Sequence, residues 1–261
     1  MLRRVMVSQD ILTLPPPPAD ARLRYGPEPA QFGDLRLPRK NVLPPLVMMI
    51  HGGFWRARYD LSHAGHLCGA LTALGLATFN TEYRRVGDAG GGWPGTFEDI
   101  RSAYAYLRQH ASTRRFDSAK MLIMGHSAGG QLALCLAGHE RSVTRCLSLA
   151  GVADLERAFE LHLSNDAVVE FLGGKPDQVP EHYEEASPID LAMPYATQYL
   201  LHGQGDQVVP IDISRRYAQR KKSVGEGVVL REIPKADHFA VIDPRSQAWT
   251  AVQEAVLQAL G

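Results

Sequence analysis

An apolar run that ends in a sharp turn of small residues constrains the fold of this chain more than any other feature. Residues 121–134 read MLIMGHSAGGQLAL, which predicts a buried strand, a tight turn over 125–129 and then a helix. A serine at the centre of such a turn has a strained backbone, so the flanking positions need residues with almost no side chain, which Gly125, Ala128 and Gly129 provide. The turn would present the Ser127 hydroxyl at a helix N-terminus, where unpaired N–H groups favour developing negative charge.

The composition argues against several classes of partner. The chain has 261 residues, and its 28 Lys plus Arg are balanced by 28 Asp plus Glu, so we expect no nucleic acid or membrane partner. The N-terminal residues contain no sustained apolar segment, which predicts neither a signal peptide nor a membrane span. The three cysteines lack metal-ligand spacing and indicate free thiols in a reducing compartment, so we expect a cytoplasmic protein.

Strand and helix patterns alternate along the chain. Short apolar runs bounded by glycine or proline predict buried parallel strands, and the segments between them have helical spacing. We therefore predict one α/β domain over 1–261, with a mostly parallel central sheet flanked by helices. Residues 1–40 would form a proline-rich arm with an edge strand near 35–37. Residues 153–197, with a mixed helical pattern over 155–172, would form a small helical cap inserted before the strand that carries the acid.

A serine nucleophile needs a base, and the base needs a carboxylate that fixes its tautomer. In this type of fold the partners follow the nucleophile in the order acid, then histidine. Asp206 directly follows a predicted strand at 198–202, and His238 directly follows the last predicted strand. Because the carboxyl ends of parallel strands meet at one sheet edge, we predict a catalytic triad of Ser127, Asp206 and His238. Asp154, after the preceding strand, is the alternative acid.

A tetrahedral intermediate also needs N–H donors for its oxyanion. One donor is predicted to be the amide of Ala128, next to the nucleophile. The others are predicted to be the amides of Gly53 and Phe54, which lie in a glycine-containing loop that can approach closely. His51 begins this loop, and we interpret it as a residue that hydrogen-bonds the loop backbone and fixes the turn.

Aromatic residues just beyond this loop are candidates for substrate binding. Trp55 and Tyr59 could wall one side of the pocket, although a place in the core is the alternative for both. Within the predicted cap, Phe159, Leu163 and Phe171 have spacings that allow a common helical face over the site. A site covered in this way would suit a compact leaving group and exclude long acyl chains.

Metal and cofactor sites find little support in the sequence. His63 and His66 are three residues apart and could share a helix face, but no carboxylate or cysteine completes a ligand set, so a surface position is the better interpretation for both. We predict no metal and no cofactor. The expected partner is a small-molecule ester or amide, and a homodimer would use the arm or the last helix.

Four segments together resemble a known family: HGGFW at 51–55, GHSAGG at 125–130, AGVADL at 150–155 and DHF at 237–239. They are similar to the α/β-hydrolase superfamily, esterase/lipase branch, and most like the kynurenine formamidase (arylformamidase)-like group. The resemblance implies an α/β-hydrolase fold and hydrolysis of small formyl or acetyl esters or amides through an acyl-enzyme, with N-formyl-kynurenine as one candidate substrate. Members often carry an aromatic residue where this chain has Ala153.

Two other function classes remain open. A serine exopeptidase of the oligopeptidase-like type has segments similar to 203–210 and to the Asp-His pair, but such enzymes usually carry an N-terminal propeller. A non-catalytic ligand-binding homologue of the same fold would normally have lost a triad residue, and this sequence retains all three.

Overall fold

One eight-stranded sheet organises the part of the chain that the computed structural model describes, residues 8–39 and 43–261. The strand order is β1-β2-β4-β3-β5-β6-β7-β8, in which β1 and β2 are antiparallel and β3 to β8 are parallel. The strands are β1 Ala21–Arg24, β2 Phe32–Arg36, β3 Pro45–Ile50, β4 Ala77–Thr81, β5 Asp117–His126, β6 Arg145–Leu149, β7 Thr197–Gly203 and β8 Val228–Ile233. The predicted mostly parallel sheet is therefore confirmed.

Helices cover both faces of this sheet. They are α1 Gly65–Ala73, α2 Gly95–Arg114, α3 Ala128–His139, α4 Leu155–Glu160, α5 Ala167–Leu172, α6 Pro180–Ala186, α7 Asp212–Ser223 and α8 Trp249–Leu260. Strand β3 shows why both faces must be covered, because its successive side chains point to opposite sides. Met48 and Ile50 belong to one buried hydrophobic cluster, and Val47 and Met49 belong to the other. No helix within 8–39 and 43–261 is long and apolar enough to cross a membrane.

The parallel strands bring three loops to the same edge of the sheet. Strand β5 ends at His126, β7 ends at Gly203 and β8 ends at Ile233. Because these strands run in the same direction, the loops that contain Ser127, Asp206 and His238 all leave from their carboxyl ends.

The N-terminal arm is more structured than its prolines predict. Strands β1 and β2 pair in antiparallel fashion, with Ala21 opposite Leu35. The prediction of an edge strand near 35–37 was wrong, because β2 lies between β1 and β4 and β1 is the edge strand. Before them, Ser8–Leu12 forms a 3-10 turn whose Ile11 is fully buried. The predicted arm also includes residues 1–7 and residue 40, which lie outside the described residues.

The segment between β6 and β7 contains three short helices, α4 to α6. Between α4 and α5, four residues have positive φ angles of 50° to 57°: His162, Ser164, Asn165 and Asp166. Asn and Asp tolerate this left-handed conformation better than most residues, and serine favours turns. The predicted mixed helical pattern over 155–172 thus consists of two short helices with a left-handed turn between them.

Candidate active site

Ser127 has the strained backbone that the sequence motif requires. Its φ and ψ angles are 56° and −120°, and it lies between the end of β5 and the start of α3. Only glycine fits on either side of the turn. A Cβ atom on Gly125 would lie 2.0 Å from the carbonyl oxygen of Gly129, and one on Gly129 would lie 2.1 Å from the carbonyl oxygen of Ile50. Close packing of strand, turn and helix therefore explains the motif spacing.

Asp206 and His238 form a buried pair. His238 Nδ1 lies 2.7 Å from Asp206 Oδ2, and the other carboxylate oxygen accepts hydrogen bonds from the amides of Val208 and Val209. Burial raises the pKa of Asp206, but hydrogen bonds from His202 and His238 outweigh it and leave the pKa well below the ordinary value. Asp206 is thus a carboxylate at neutral pH, which favours the His238 tautomer protonated on Nδ1 and leaves Nε2 free to accept a proton.

The alternative acid, Asp154, contacts other groups. Its Oδ1 accepts a hydrogen bond from the amide of Arg157 at 2.9 Å and caps helix α4, while its Oδ2 accepts one from Arg216 Nε at 3.0 Å. Asp237 caps its own loop by accepting from the amides of Phe239 and Ala240. Within 8–39 and 43–261, Asp206 is therefore the carboxylate hydrogen-bonded to the His238 ring.

His126 joins the serine turn to the loop of His238. Its Nε2 donates to the backbone carbonyl of His238 at 2.9 Å, and the two ring centroids are 4.6 Å apart. Burial lowers the pKa of His126 well below the ordinary value, so the ring is neutral. Sequence analysis missed this residue, because the motif permits many residue types before the serine.

The loop after β3 passes directly beside the serine. A Cβ on Gly52 would lie 3.0 Å from Ser127 Cβ, and the next two residues, Gly53 and Phe54, have positive φ angles of 116° and 49°. Across the described ranges, the amides of Gly53, Phe54 and Ala128 have no protein acceptor. These three predicted oxyanion donors are therefore available to a ligand.

A buried polar cluster holds this loop in place. His51 Nδ1 lies 2.7 Å from the carbonyl oxygen of Gly52, and His51 Nε2 lies 2.8 Å from Glu82 Oε1. Tyr83 stacks on the imidazole and donates its hydroxyl proton to the His51 carbonyl. Burial raises the pKa of Glu82, but the neighbouring His51 and Arg85 outweigh it and lower the pKa overall. An acidic residue near the end of an apolar strand was the sequence signal for Glu82.

Ser127 and His238 line one cavity of about 440 Å³. Tyr59 lines it as well, whereas Trp55 does not. Trp55 is 1% exposed, stacks on Phe171 at 4.5 Å and donates its Nε1 proton to Gln131. The prediction that Trp55 binds substrate needs correction, since its ring is buried in the hydrophobic core.

The cavity wall also differs from the predicted helical cap. From 153–197, the described residue that lines the cavity is Ser164, whereas Phe159 and Leu163 pack against the main core. The N-terminal arm supplies Gln9 and Leu12 instead. A segment without a clear sequence pattern thus forms part of the site.

His63 was expected at the surface, but it is 5% exposed and lines the cavity. Burial lowers its pKa to about 3, so the ring is neutral at ordinary pH. His66 points elsewhere, with its Nε2 3.3 Å from the carbonyl oxygen of Leu14. Over the part of the chain that the structure describes, no cluster of His, Cys, Asp and Glu could hold a metal ion.

Comparison with known proteins gives both a family and relatives. The sequence model of the BD-FAE family matches residues 34–220. Esterase LipC of Mycobacterium tuberculosis is 26% identical over 249 residues, which cover 85% of this chain and 60% of LipC. The uncharacterized peptidase YtmA of Bacillus subtilis is 29% identical over 137 residues, which cover 50% of this chain and 51% of YtmA. The chain spans about half to three-fifths of the length of these curated relatives.

Solved structures agree on the fold. Esterase B from Lactobacillus rhamnosis superposes with a TM-score of 0.82 at 20% identity, over 97% of this chain and 90% of that chain. A truncated carbohydrate esterase from gut microbiota superposes with a TM-score of 0.80 at 19% identity, over 93% of this chain and 99% of that chain. The fold is therefore the predicted α/β-hydrolase fold.

Proposed function

The chain belongs to the BD-FAE family, and from that premise we propose that it is a serine hydrolase that cleaves small carboxylic esters through an acyl-enzyme. The observation that carries the proposal is the 2.7 Å contact between His238 Nδ1 and Asp206 Oδ2 beside the cavity that Ser127 lines. Relatives named as esterases support this choice of substrate class.

In the proposed mechanism, His238 Nε2 accepts the Ser127 hydroxyl proton as Oγ attacks the ester carbonyl. The electron pair of the C=O bond moves to oxygen, and the amides of Gly53, Phe54 and Ala128 stabilise that oxyanion, each by about 3 kcal/mol in the barrier. When the C=O bond re-forms, the alcohol leaves with the proton held by His238. Water, activated by the same histidine, then releases the acid and regenerates Ser127.

The acyl group of the proposed substrate is small, either formyl or acetyl. A cavity of about 440 Å³ is large enough for such an acyl group together with its leaving group. Amides of aromatic amines, with N-formyl-kynurenine as one example, are the finer proposal. The same oxyanion donors and base would serve an amide, provided that His238 protonates the departing nitrogen.

Two substrates and one variant test the proposed class. We expect the wild-type chain to turn over p-nitrophenyl acetate, and we expect Ser127→Ala to lower kcat by at least three orders of magnitude with an unchanged circular-dichroism spectrum. Hydrolysis of N-formyl-kynurenine, assayed in parallel with p-nitrophenyl acetate, tests the proposal that the chain also cleaves amides. Undiminished hydrolysis by Ser127→Ala would overturn the mechanism.

A serine exopeptidase is the second candidate, because YtmA is named as a peptidase. An exopeptidase that reads a free amino terminus needs a negative group near the scissile bond. Within 8–39 and 43–261, no Asp or Glu lines the cavity, which favours the esterase. An aminoacyl p-nitroanilide is the control, and its hydrolysis at a higher kcat/KM than p-nitrophenyl acetate would favour the peptidase.

A further inference from the structure

The charge of the cavity is unbalanced. Among its described lining residues, Arg58 carries the only permanent charge, because no Asp or Glu lines the cavity. Two of the lining histidines, His63 and His126, are neutral, since burial lowers the pKa of each. His238 has its charge compensated by Asp206 whenever it accepts a proton. A ligand in this cavity can therefore contact one cationic side chain, Arg58, and no lining carboxylate.

Arg58 also differs from the arginines near it in sequence and space. Arg56 is paired with Glu170 at 2.7 Å, and Arg85 is paired with Asp88 at 3.1 Å. Across 8–39 and 43–261, Arg58 has no carboxylate within ion-pair distance. The remaining residues, 1–7 and 40–42, contain no Asp or Glu. Among residues 8–39 and 43–261, this guanidinium is therefore without an ion-pair partner.

The position of Arg58 relates it to the proposed oxyanion donors. Its guanidinium carbon lies 4.9 Å from the centre of the Tyr59 ring, a distance that allows a cation–π contact. Tyr59 in turn packs against the loop, because a Cβ on Gly53 would lie 2.5 Å from Tyr59 Cβ. The Tyr59 side chain therefore lies between the Arg58 guanidinium and the loop that carries Gly53. A compact substrate is long enough to reach from that loop to the guanidinium.

We propose that Arg58 forms an anion-binding subsite and that the preferred substrates are compact esters that carry a carboxylate. The inference rests on the proposed esterase function and narrows its substrate class. A guanidinium binds a carboxylate through two parallel N–H donors, and the Tyr59 ring restricts its orientation in advance. The neutral side chains of Gln9 and Gln207, which also line the cavity, can donate to the remaining carboxylate lone pairs.

A matched pair of esters isolates the charge. 4-Acetoxybenzoate and its methyl ester have the same acyl group and the same aromatic frame, but only the first is anionic at neutral pH. The quantity measured is the ratio of their kcat/KM values for acetyl release. We expect Arg58→Gln to lower this ratio about fivefold, the upper range for a solvent-exposed ion pair. Arg58→Lys, which keeps the charge without the planar fork, should give an intermediate ratio.

Arg141→Gln is the control. Arg141 is likewise exposed and lies 5.5 Å from the centre of a tyrosine ring, that of Tyr195, but it does not line the cavity. Its substitution removes the same charge and should leave the ratio unchanged. Arg58→Glu should lower the ratio by more than tenfold, and 0.5 M NaCl should reduce the effect of Arg58→Gln because salt screens exposed charges.

The outcomes separate this inference from the function on which it rests. Hydrolysis of both esters with the same ratio in wild type, Arg58→Gln and Arg58→Glu would overturn the anion subsite and leave the esterase intact. An equal fall of the ratio in Arg141→Gln would also overturn it, since the effect would then be one of overall charge. If the wild type hydrolysed none of the three esters, neither this pair nor p-nitrophenyl acetate, the proposed function itself would be rejected.

Discussion

At the scale of single residues, four buried histidines lie in the loops of the candidate site or line its cavity, and their surroundings differ. His51 bridges its own loop and Glu82, and His126 donates to a backbone carbonyl. His63 has its pKa lowered to about 3 by burial. Among the four, His238 is the ring that contacts a carboxylate and also lines the cavity. The surroundings of each ring, rather than histidine content, single out the proposed base.

The role of the acid can be tested by two matched substitutions. Asp206→Asn should lower kcat by about four orders of magnitude, because an amide no longer favours the reactive tautomer of His238. Asp154→Asn should change kcat far less, since Asp154 caps helix α4 and pairs with Arg216. Steady-state hydrolysis of p-nitrophenyl acetate measures both. A larger loss for Asp154→Asn would move the acid to that residue.

The buried His63 predicts a pH dependence of stability. Its folded pKa of about 3 is below the unfolded value of 6.5, so below pH 6.5 the unfolded chain binds a proton that the folded chain does not. Stability should therefore fall as the pH drops from 6.5 towards 3, by at most about 1.4 kcal/mol per pH unit from this residue. Urea unfolding of His63→Gln at pH 7 and pH 5 should show a smaller loss than wild type.

His66→Gln is the control for this measurement, because His66 is only half-buried. For each protein, the unfolding free energy at pH 5 is subtracted from that at pH 7, and these differences are compared between wild type and the two variants. A destabilisation that is the same at both pH values cancels in the subtraction. Equal pH dependence in wild type and His63→Gln would contradict the burial argument.

Single residues of the site could be predicted best where the backbone geometry limits which amino acid fits. The glycines beside Ser127 are required by contacts of about 2 Å, and such a requirement leaves a readable motif. Glu82, His126 and His63 support or line the site through contacts with residues distant in sequence. Their roles depend on tertiary packing, and apart from the position of Glu82 near the end of an apolar strand no local pattern marks them.

At the scale of elements, the N-terminal arm forms part of the cavity wall. Ile11 is fully buried in the cluster that contains Leu67 and Leu71, and burial of such a side chain contributes about 1.5–3 kcal/mol. This contact fixes the 3-10 turn Ser8–Leu12 and brings Leu12 to the cavity. The sequence predicted an extended arm but not its location, since proline-rich segments lack the periodicity that reveals a buried face.

The arm should therefore influence acyl-chain preference. For wild type, we expect kcat/KM to fall from C2 to C8 p-nitrophenyl esters, because ordering a longer acyl chain costs more conformational entropy. Leu12→Ala should make this decline shallower, and Leu12→Trp should make it steeper. Thr13→Trp is the matched control, since Thr13 is exposed and does not line the cavity.

Two results would contradict this account of the arm. An optimum at C8 or longer in wild type would reject the small-acyl proposal in favour of a lipase-like preference. An equal effect of Leu12→Trp and Thr13→Trp on the chain-length profile would show that the wall contact of Leu12 is not responsible.

The segment between β6 and β7 was predicted in part. Its helices were expected, but the left-handed turn between α4 and α5 was not. Arg56 holds this turn, since it pairs with Glu170 and donates to Ser164 Oγ and to the carbonyl of Asn165. Because Arg56 is distant in sequence, the apolar pattern over 155–172 could not reveal the interruption.

At the scale of the whole molecule, sheet topology assembles the site. Strands β5, β7 and β8 are parallel, so the loops that follow them open at one edge whatever their separation in sequence. Alternating strands and helices are readable from hydrophobic runs, and the order of serine, acid and histidine along these strands was readable too. This explains why Asp206 and His238 could be proposed as partners from sequence, whereas the cavity wall could not be predicted.

Net charge is also a property of the whole chain. Positive and negative residues balance at 28 each, so long-range steering of an ionic substrate is weak. Any preference for an anionic ester must then arise within the cavity, at Arg58. Such a preference should appear in the ester ratio and depend on this residue rather than on total charge.

The central claim is that Ser127, activated by His238 and Asp206, forms a covalent acyl-enzyme. Its most direct test is reaction with a fluorophosphonate, followed by intact mass and peptide mapping. We predict one adduct per chain, located on Ser127, with no adduct in Ser127→Ala and much slower labelling of Asp206→Asn. An adduct on another residue, or undiminished labelling of Ser127→Ala, would contradict the claim.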